Sequence, residues 1–396
     1  MPDSLTVVIP ALNEEEAIGG TLRRCLDAKE EVKRAAGLDD VEFIVVSDGS
    51  TDRTVEIVRT FADVKLIVFE RNRGYGAAIK EGFCQAQGSL VGFMDADGTC
   101  DPRWFGELCR RAIADEADVV LGSRLGPDSQ MPRVRRVGNR IFALMLGFFC
   151  GQTVTDTASG MRVLRRSALD YLYPLPDGLH FTPSMTARAL AGGLRLVEVP
   201  MPYHERVGTS KLRVVEDGLR FAWVIVRDVI CYRPERLFMA GFAVFLLLGL
   251  LLAAYPVEFY ALHRRIEDWM IYRFVVCGFL GSVGLQFLTA AAIAHRMAEF
   301  GPKRRAAEPF WPPLVAGFFE GGAVLVMAGA VSIVCLILLW PGVVEYATTF
   351  QITMHWSRFV TAVFGLMLAA QSLVAAALLR LMRLWRSEGS RHGDRR

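Results

Sequence analysis

Short apolar runs alternate with amphipathic segments in the first half of the chain. Five runs rich in Val, Ile, Leu and Phe predict buried strands, at residues 5–10, 41–47, 64–69, 90–95 and 118–123. Helix-like patterns separate these runs and begin near Glu14, Asp52, Tyr75 and Pro102. Strands separated by helices of this length indicate a parallel sheet with helical crossovers, so the first half of the chain is predicted to be an α/β domain.

Four longer apolar segments follow, at residues 237–255, 274–294, 313–340 and 359–379. Each is long enough to cross a hydrocarbon core, which needs about 20 residues. They explain why the whole chain is 52% hydrophobic, with a positive mean hydropathy. We therefore expect an integral membrane protein with four transmembrane helices. The short apolar run at 141–149 cannot span a membrane, so it predicts a membrane-dipping or core helix.

Lys and Arg are unevenly distributed around the four long segments, and this predicts their orientation. They are frequent before the first segment, in the 295–305 loop and after the last segment. The positive-inside rule then places both termini in the cytoplasm. The first residues lack the basic and apolar regions of a signal peptide, so no cleaved leader is expected.

Net charge and cysteine spacing exclude other classes of function. The formal net charge is only +3, which gives no broad basic surface for nucleic acid. The eight cysteines show no CxxC pairing or zinc-ligand spacing, so we expect reduced cysteines that pack as small apolar residues.

Polar clusters follow four of the predicted strands, beginning at Asn13, Asp48, Arg71 and Asp95. In open parallel sheets, ligands bind beyond the carboxyl ends of the strands, where these clusters would meet. The last cluster contains Asp95 and Asp97, and paired carboxylates are suitable ligands for Mg²⁺ or Mn²⁺. A polar turn with no ligand is the simpler interpretation of an isolated Asp-x-Asp.

The motifs at these positions resemble those of the family 2 glycosyltransferases, which have a GT-A fold. They are PALNEEEAI (10–18), VSDGSTDRT (46–54), RNRGYGAAIKEGF (71–83) and MDADG (94–98). TDTASGMR (155–162) and RVGTSKL (206–212) are similar to motifs of the polyprenyl-phosphate branch, which includes dolichyl-phosphate mannosyltransferase. The resemblance covers about the first 236 residues. It implies a Rossmann-like nucleotide-sugar domain and metal-dependent, inverting transfer of a hexose, mannose or glucose, from a GDP- or UDP-sugar to dolichyl or undecaprenyl phosphate at the cytoplasmic face.

The same resemblance implies specific residue roles at the donor end. Asp95 and Asp97 hold Mg²⁺ or Mn²⁺, with Asp97 also catalytic, and Thr99 stands where relatives often have Gln. The implied nucleotide-sugar contacts are Pro10, Leu12, Glu14, Asp48, Arg73, Gly74, Asp95 and Ala96. Leu12 replaces the aromatic residue that relatives often carry.

On the acceptor side, the implied contacts with the lipid phosphate are Arg124, Arg140, Ser159, Arg162, Arg206 and Lys211, and Arg206, Ser210 and Lys211 are also assigned catalytic roles. A phosphate monoester has a second pKa of about 6, so it is already anionic and needs no general base. His180 is the alternative, as a base for a hydroxyl acceptor.

The predicted organisation is a cytoplasmic GT-A domain at 1–212, an interfacial amphipathic helix at 213–236, four transmembrane helices at 237–380 and a basic tail at 381–396. The helix would place Leu219 and Trp223 in the membrane interface and its charged residues on the other face. Glu320 is predicted to mark a polar pathway or to reach the interface. Two alternatives stay open: a processive polysaccharide synthase, although its QxxRW motif is missing, and a lipid-linked sugar translocator or scaffold. Association with further copies of the chain also stays open.

Overall fold

The computed structural model describes residues 3–125, 129, 131, 133–152, 154–202, 214–298 and 311–393. The chain divides into two compact units, an α/β unit that ends at Tyr232 and a helical unit that begins at Arg233. The predicted interfacial segment, 213–236, is therefore divided between the two units.

Within the described residues, the α/β unit has seven strands in one mixed sheet. They are β1 (Ser4–Ala11), β2 (Asp40–Ser47), β3 (Val64–Val68), β4 (Leu90–Phe93), β5 (Val119–Ser123), β6 (Arg162–Arg165) and β7 (Leu196–Pro200). Their order in the sheet is β3-β2-β1-β4-β6-β5-β7. The helices of this unit are α1 (Ile18–Ala36), α2 (Thr54–Val58), α3 (Tyr75–Gln85), α4 (Trp104–Ala114), α5 (Arg133–Cys150), α6 (Leu169–Leu172), α7 (Phe181–Ala191) and α8 (Val214–Tyr232).

All five predicted strands are confirmed, but the sheet is not wholly parallel. The short strand β6 lies between β4 and β5 and runs antiparallel to both. Its sequence, RVLR, is too short and too charged to resemble a buried strand. Its position makes the loop before it, residues 155–161, lie close to the carboxyl end of β4, where Asp95 follows.

Alternate side chains of the central strands pack on opposite faces of the sheet, as expected for strands covered by helices on both sides. Val7 and Ile9 of β1 belong to one core cluster, together with buried residues of α1 and α4. Val8 belongs to the other cluster, with residues of α3 and α7. Both cores keep the carboxyl ends of the strands fixed relative to one another, so the residues that follow them have defined positions.

Helix α8 packs against α7 through a face that the sequence analysis assigned differently. Asp217 and Asp228, predicted to face solvent, are buried, and Asp228 accepts two 3.1 Å hydrogen bonds from the guanidinium of Arg188. On the face that was predicted to lie in the membrane interface, the side chains of Leu219 and Trp223 are 70% and 67% exposed. The prediction was therefore wrong for both acids. At Asp228, Arg188 neutralises the charge that burial would otherwise penalise, and Asp217 lies 3.8 Å from the guanidinium of Arg220.

The helical unit contains α9 (Pro234–His263), α10 (Ile271–Ala298), α11 (Trp311–Glu320), α12 (Gly322–Thr349) and α13 (Trp356–Gly393). Among the residues that the structure describes, four helical segments are long and apolar enough to cross a membrane: Pro234–His263, Asp268–Ala298, Gly322–Thr349 and Trp356–Trp385. Helix α13 continues to Gly393, so most of the predicted tail is helical.

The predicted third span, 313–340, is interrupted at Gly321. The carboxylate of Glu320 pairs with Arg296 at 2.6 Å, and the guanidinium of Arg380 donates to the backbone carbonyls of Glu320 and Gly321. These bonds satisfy carbonyls that the end of α11 leaves without helical partners. Glu320 therefore has a structural ion pair, and its predicted place in a polar pathway or at the interface stays a prediction.

Candidate active site

A cavity of about 460 Å³ lies in the α/β unit at the carboxyl ends of the strands. We name two parts of its lining. The acidic end comprises residues at or after the ends of β1, β2, β3 and β4, the start of α3, and two glycines that adjoin them: Pro10, Ala11, Leu12, Glu14, Asp48, Asn72, Gly74, Tyr75, Asp95, Ala96, Asp97, Gly160 and Gly178. The basic end comprises Arg124, Met131, Val134, Arg135, Gly138, Asn139, Phe142, Ala158, Leu179, Thr182, Gly218 and Phe221. The structure thus brings seven of the eight predicted nucleotide-sugar contacts into one cavity.

Arg73 is the exception. Its side chain is exposed, with the guanidinium carbon 4.5 Å from the centre of the Phe69 ring, and it is not part of the cavity wall. Its backbone is held instead: Asp48 Oδ1 accepts from the N–H of Arg73 at 2.6 Å, and Oδ2 accepts from the N–H of Gly74 at 2.9 Å. The contact between Arg73 and the nucleotide sugar therefore stays a prediction, and Asp48 has a second role in fixing this turn.

The glycines of this turn allow two chain segments to cross closely. Gly74 has φ of 107°, and a Cβ there would lie 2.4 Å from the carbonyl oxygen of Asp177. The same oxygen accepts from the N–H groups of Gly76 and Ala77, at 2.6 and 3.1 Å. The loop before α7 therefore caps the N-terminus of α3, and these glycines serve that contact as well as the cavity.

The two acids after β4 are each oriented by a neighbouring hydroxyl. Tyr75 donates to Asp95 Oδ1 at 2.7 Å, and the Thr99 hydroxyl donates to Asp97 Oδ1 at 2.7 Å. Burial and the charge of Asp95 raise the pKa of Tyr75 well above its ordinary value, so its hydroxyl remains a donor. Thr99 thus orients Asp97.

The donor set at this end fits a divalent cation. Mg²⁺ commonly binds through one or two carboxylates and completes its octahedral shell with substrate phosphates and water, and Mn²⁺ also prefers such oxygen ligands. Asp95 and Asp97 provide two carboxylates on one cavity wall. Groups of three or more His, Cys, Asp or Glu residues with metal-binding geometry are absent from the residues that the structure describes. The cavity is therefore suited to a cation shared with a ligand that carries phosphate.

In the basic end of the cavity, Arg124 pairs with the fully buried carboxylate of Asp156. Its Nε and Nη2 donate to Oδ2 and Oδ1 of Asp156 at 2.8 and 2.9 Å. Asn139 Nδ2 also donates to Asp156 Oδ1, at 2.8 Å. Arg124 was predicted from the sequence as a phosphate contact, whereas Asn139 and Arg135 were not. Both lie on α5, and both line the cavity.

Three other predicted phosphate contacts do not reach the cavity. Arg140 is exposed on α5. Ser159 is buried, and its hydroxyl donates to the carbonyl of Gly122 at 2.5 Å. Arg162 is fully buried, donates to the carbonyls of Thr157 and Ser159, and has its pKa lowered to about 10 by burial. Ser159 and Arg162 therefore hold the loop before β6 in shape, and the structure does not bring these two predicted phosphate contacts to the cavity. Arg206, Ser210 and Lys211 lie outside the described residues, so their roles stay predictions.

Comparison with known proteins shows which family has this site. The family model described as glycosyl transferase family 2 matches residues 6–172. The chain is 34% identical over 322 residues to the low-salt glycan biosynthesis hexosyltransferase Agl6 of Haloferax volcanii, covering 78% of this chain and 71% of that protein. The chain belongs to the family 2 glycosyltransferases. The predicted resemblance is thereby confirmed, and the protein is an enzyme of the glycosyltransferase class.

Two other relatives of this glycosyltransferase are named as dolichyl-phosphate transferases. It is 34% identical over 230 residues to a dolichyl-phosphate hexose transferase of Haloferax volcanii, covering 57% of this chain and 93% of that protein. It is 32% identical to the dolichyl-phosphate beta-glucosyltransferase ALG5C of Trichomonas vaginalis, covering 58% of this chain and 71% of that protein. A solved glucosyl-3-phosphoglycerate synthase from Mycobacterium tuberculosis matches 57% of this chain and 80% of that one, with 20% identity and a TM-score of 0.47.

His180 lies next to the cavity of this glycosyltransferase but outside its wall. It precedes α7 and is partly buried, while Gly178, Leu179 and Thr182 line the cavity. Burial, followed by the charges of Arg227 and Arg220, lowers the pKa of His180. The imidazole is therefore neutral at pH 7.

Proposed function

We propose that this glycosyltransferase transfers a hexose, mannose or glucose, from a nucleotide sugar to a polyprenyl phosphate, with inversion, at the cytoplasmic face of the membrane. The observation that carries the proposal is that one cavity is lined both by the carboxylates of Asp95 and Asp97 and by two arginines among apolar side chains. The names of the dolichyl-phosphate relatives support a lipid phosphate as the acceptor.

At the acidic end, Asp95 and Asp97 would hold Mg²⁺ or Mn²⁺ against the diphosphate of a GDP- or UDP-hexose. A bound cation there stabilises the negative charge that develops on the leaving nucleoside diphosphate. Tyr75 and Thr99 keep the two carboxylates in place through 2.7 Å hydrogen bonds. Pre-oriented groups of this kind favour reaction because they need little rearrangement as charge develops.

At the basic end, Arg124, Arg135 and Asn139 would bind the acceptor phosphate. A phosphate oxygen forms the new bond to the anomeric carbon as the bond to the nucleoside diphosphate breaks, so the configuration inverts. A phosphate monoester is already ionised at neutral pH, because its second pKa is about 6. A general base is therefore unnecessary, which agrees with the position of His180 outside the cavity wall.

Apolar residues around the basic end would receive the first part of the lipid chain. Met131, Val134, Phe142, Leu179 and Phe221 line the same cavity. The two helices that supply most of them, α5 and α8, also carry exposed apolar side chains: Ile141, Leu144, Phe148, Leu219 and Trp223. Exposed apolar side chains on amphipathic helices favour contact with a membrane interface. The distribution of Lys and Arg supports cytoplasmic termini.

The full-length protein in detergent, with Mg²⁺ or Mn²⁺, should be tested against a panel of UDP- and GDP-hexoses with a short polyprenyl phosphate. The matched acceptor is the corresponding polyprenyl alcohol. We expect one hexose to be added to the phosphate and none to the alcohol. Transfer to the alcohol alone would refute the phosphate acceptor. Polymer formation would favour a processive synthase, and glycolipid movement in liposomes without donor turnover would favour a translocator.

A further inference from the structure

The carboxylate of Asp156 joins two side chains of the cavity wall. Its Oδ2 accepts from the backbone N–H and Nε of Arg124, and its Oδ1 accepts from Nη2 of Arg124, Nδ2 of Asn139 and the N–H of Ala158. The carboxylate itself is fully buried and does not line the cavity. It therefore acts on the site only through the groups that it holds.

Such a buried charge requires compensation. Burial opposes ionisation of Asp156, but the charge of Arg124 and the hydrogen bonds outweigh it, so its pKa lies below the ordinary value. The carboxylate is ionised at neutral pH. A paired, ionised carboxylate with five donors has one favourable arrangement, and this arrangement fixes the plane of the Arg124 guanidinium.

We propose that Asp156 is a positioning residue that sets the orientation of Arg124 and Asn139 for the acceptor phosphate. The inference rests on the proposed function, because it assumes that these two residues bind a phosphate. Loss of the carboxylate should leave the nucleotide-sugar end intact, since the residues after β1 and β4 make no described hydrogen bond with Asp156.

Glu198 of β7 supplies a matched control. Its carboxylate accepts from the backbone N–H groups of Thr155 and Asp156, at 2.8–2.9 Å, and anchors the same loop. It is absent from the cavity wall and from the described hydrogen bonds of Arg124. Glu198→Gln keeps an acceptor oxygen for the loop. A role in loop stability alone would predict similar kinetics for Glu198→Gln and Asp156→Asn, whereas positioning of Arg124 predicts different kinetics.

The test uses the full-length protein with the donor found in the panel and a short polyprenyl phosphate. In Asp156→Asn we expect kcat/KM for the lipid phosphate to fall about ten- to a hundredfold, since a charge-assisted contact is disturbed. The KM for the nucleotide sugar should remain within about twofold. Glu198→Gln should retain near-normal values for both substrates. If Asp156→Asn does not fold, Asp156→Glu, which moves the charge by one methylene group, should also lower kcat/KM for the lipid phosphate while leaving the KM for the nucleotide sugar nearly unchanged.

A second measurement does not depend on turnover. Phenylglyoxal modifies arginine side chains, and the modified residue is identified by mass spectrometry in the protein without substrates. Arg124 should react several-fold faster in Asp156→Asn or Asp156→Glu than in the wild type or in Glu198→Gln. Unchanged reactivity of Arg124, or equal losses of donor and acceptor affinity, would overturn the proposal. A wild type that never uses a lipid phosphate would defeat the proposed function, and the phenylglyoxal result would still decide whether Asp156 holds Arg124.

Discussion

Replacement of Gly160 by Ala tests whether the position of Asp95 controls turnover. Gly160 lies in the 155–162 loop and lines the cavity. A Cβ at this position would lie 2.1 Å from Asp95 Oδ2, whereas real Cβ contacts are essentially never closer than 3.0 Å. The carboxylate and the loop must therefore separate by about 1 Å, a displacement that can reduce an enzymatic rate about a hundredfold.

The expected loss corresponds to about 2.7 kcal/mol in the activation free energy, since each tenfold change in rate is about 1.36 kcal/mol. Movement of Asp95 would also stretch its 2.7 Å hydrogen bond with Tyr75. The assay is kcat at saturating donor and lipid phosphate, measured over a range of Mg²⁺ concentrations. We expect a lower kcat and a higher half-saturating Mg²⁺ concentration.

Gly20→Ala provides the control, because Gly20 is an exposed residue of α1 and a Cβ there would have no neighbour within 4 Å. It should keep wild-type kcat, and its helix should be slightly more stable because Ala has the higher helix propensity. Thermal unfolding of both variants checks that they are folded. A folded Gly160→Ala protein with wild-type kcat and Mg²⁺ dependence would refute the argument that the loop fixes Asp95.

The remaining predictions concern the cation, the base, the orientation and acid stability. Asp97→Asn should abolish transfer without changing thermal unfolding, and excess chelator should do the same to the wild type; activity of the wild type in chelator would end the metal proposal. His180→Ala should retain most of kcat at pH 7, and near-complete loss would point to a hydroxyl acceptor. Cysteines introduced at 295–305 should resist membrane-impermeant thiol reagents in intact cells while a cysteine near 260 reacts, and the opposite labelling would invert the proposed orientation. The lowered pKa of Asp156 means that its contribution to the free energy of unfolding is complete above about pH 3.8 and is lost as pH falls through its lower folded value, so Asp156→Asn should show a weaker loss of thermal stability with acid than the wild type.

The strands and the acidic end of the cavity could be predicted because both depend on local sequence. Apolar runs identified β1 to β5, and the carboxyl ends of parallel strands necessarily lie at one edge of the sheet. Asp48, Asp95 and Asp97 follow such ends directly, and all three line the cavity. The pattern did not reveal β6, because its pairing with β4 and β5 depends on tertiary contacts that the sequence of a four-residue segment does not determine.

The basic end was harder to predict because it depends on how a helix is rotated. Successive residues of an α-helix point about 100° apart, so the rotation of α5 decides which of its polar side chains face the cavity. Charge favoured Arg140, but packing of α5 against α8 through Phe142 and Phe221 turns Asn139 inward and leaves Arg140 exposed. The same rotation brings in Arg135, one turn before Asn139. Partners distant in sequence, such as Asp156, could not be assigned from the motif.

The buried position of Arg162 explains why a motif that resembles a phosphate site has another role. Its three guanidinium nitrogens donate to the carbonyls of Ser159 and Thr157 and to the hydroxyl of Thr186. Although burial lowers its pKa to about 10, the group is still charged at neutral pH. A buried cation with all three nitrogens engaged has little freedom to move, so it holds the backbone on both sides of Ala158. That backbone leads to Gly160, which touches Asp95, and follows Asp156, which holds Arg124. One loop therefore lies against Asp95 through Gly160 and holds Arg124 through Asp156.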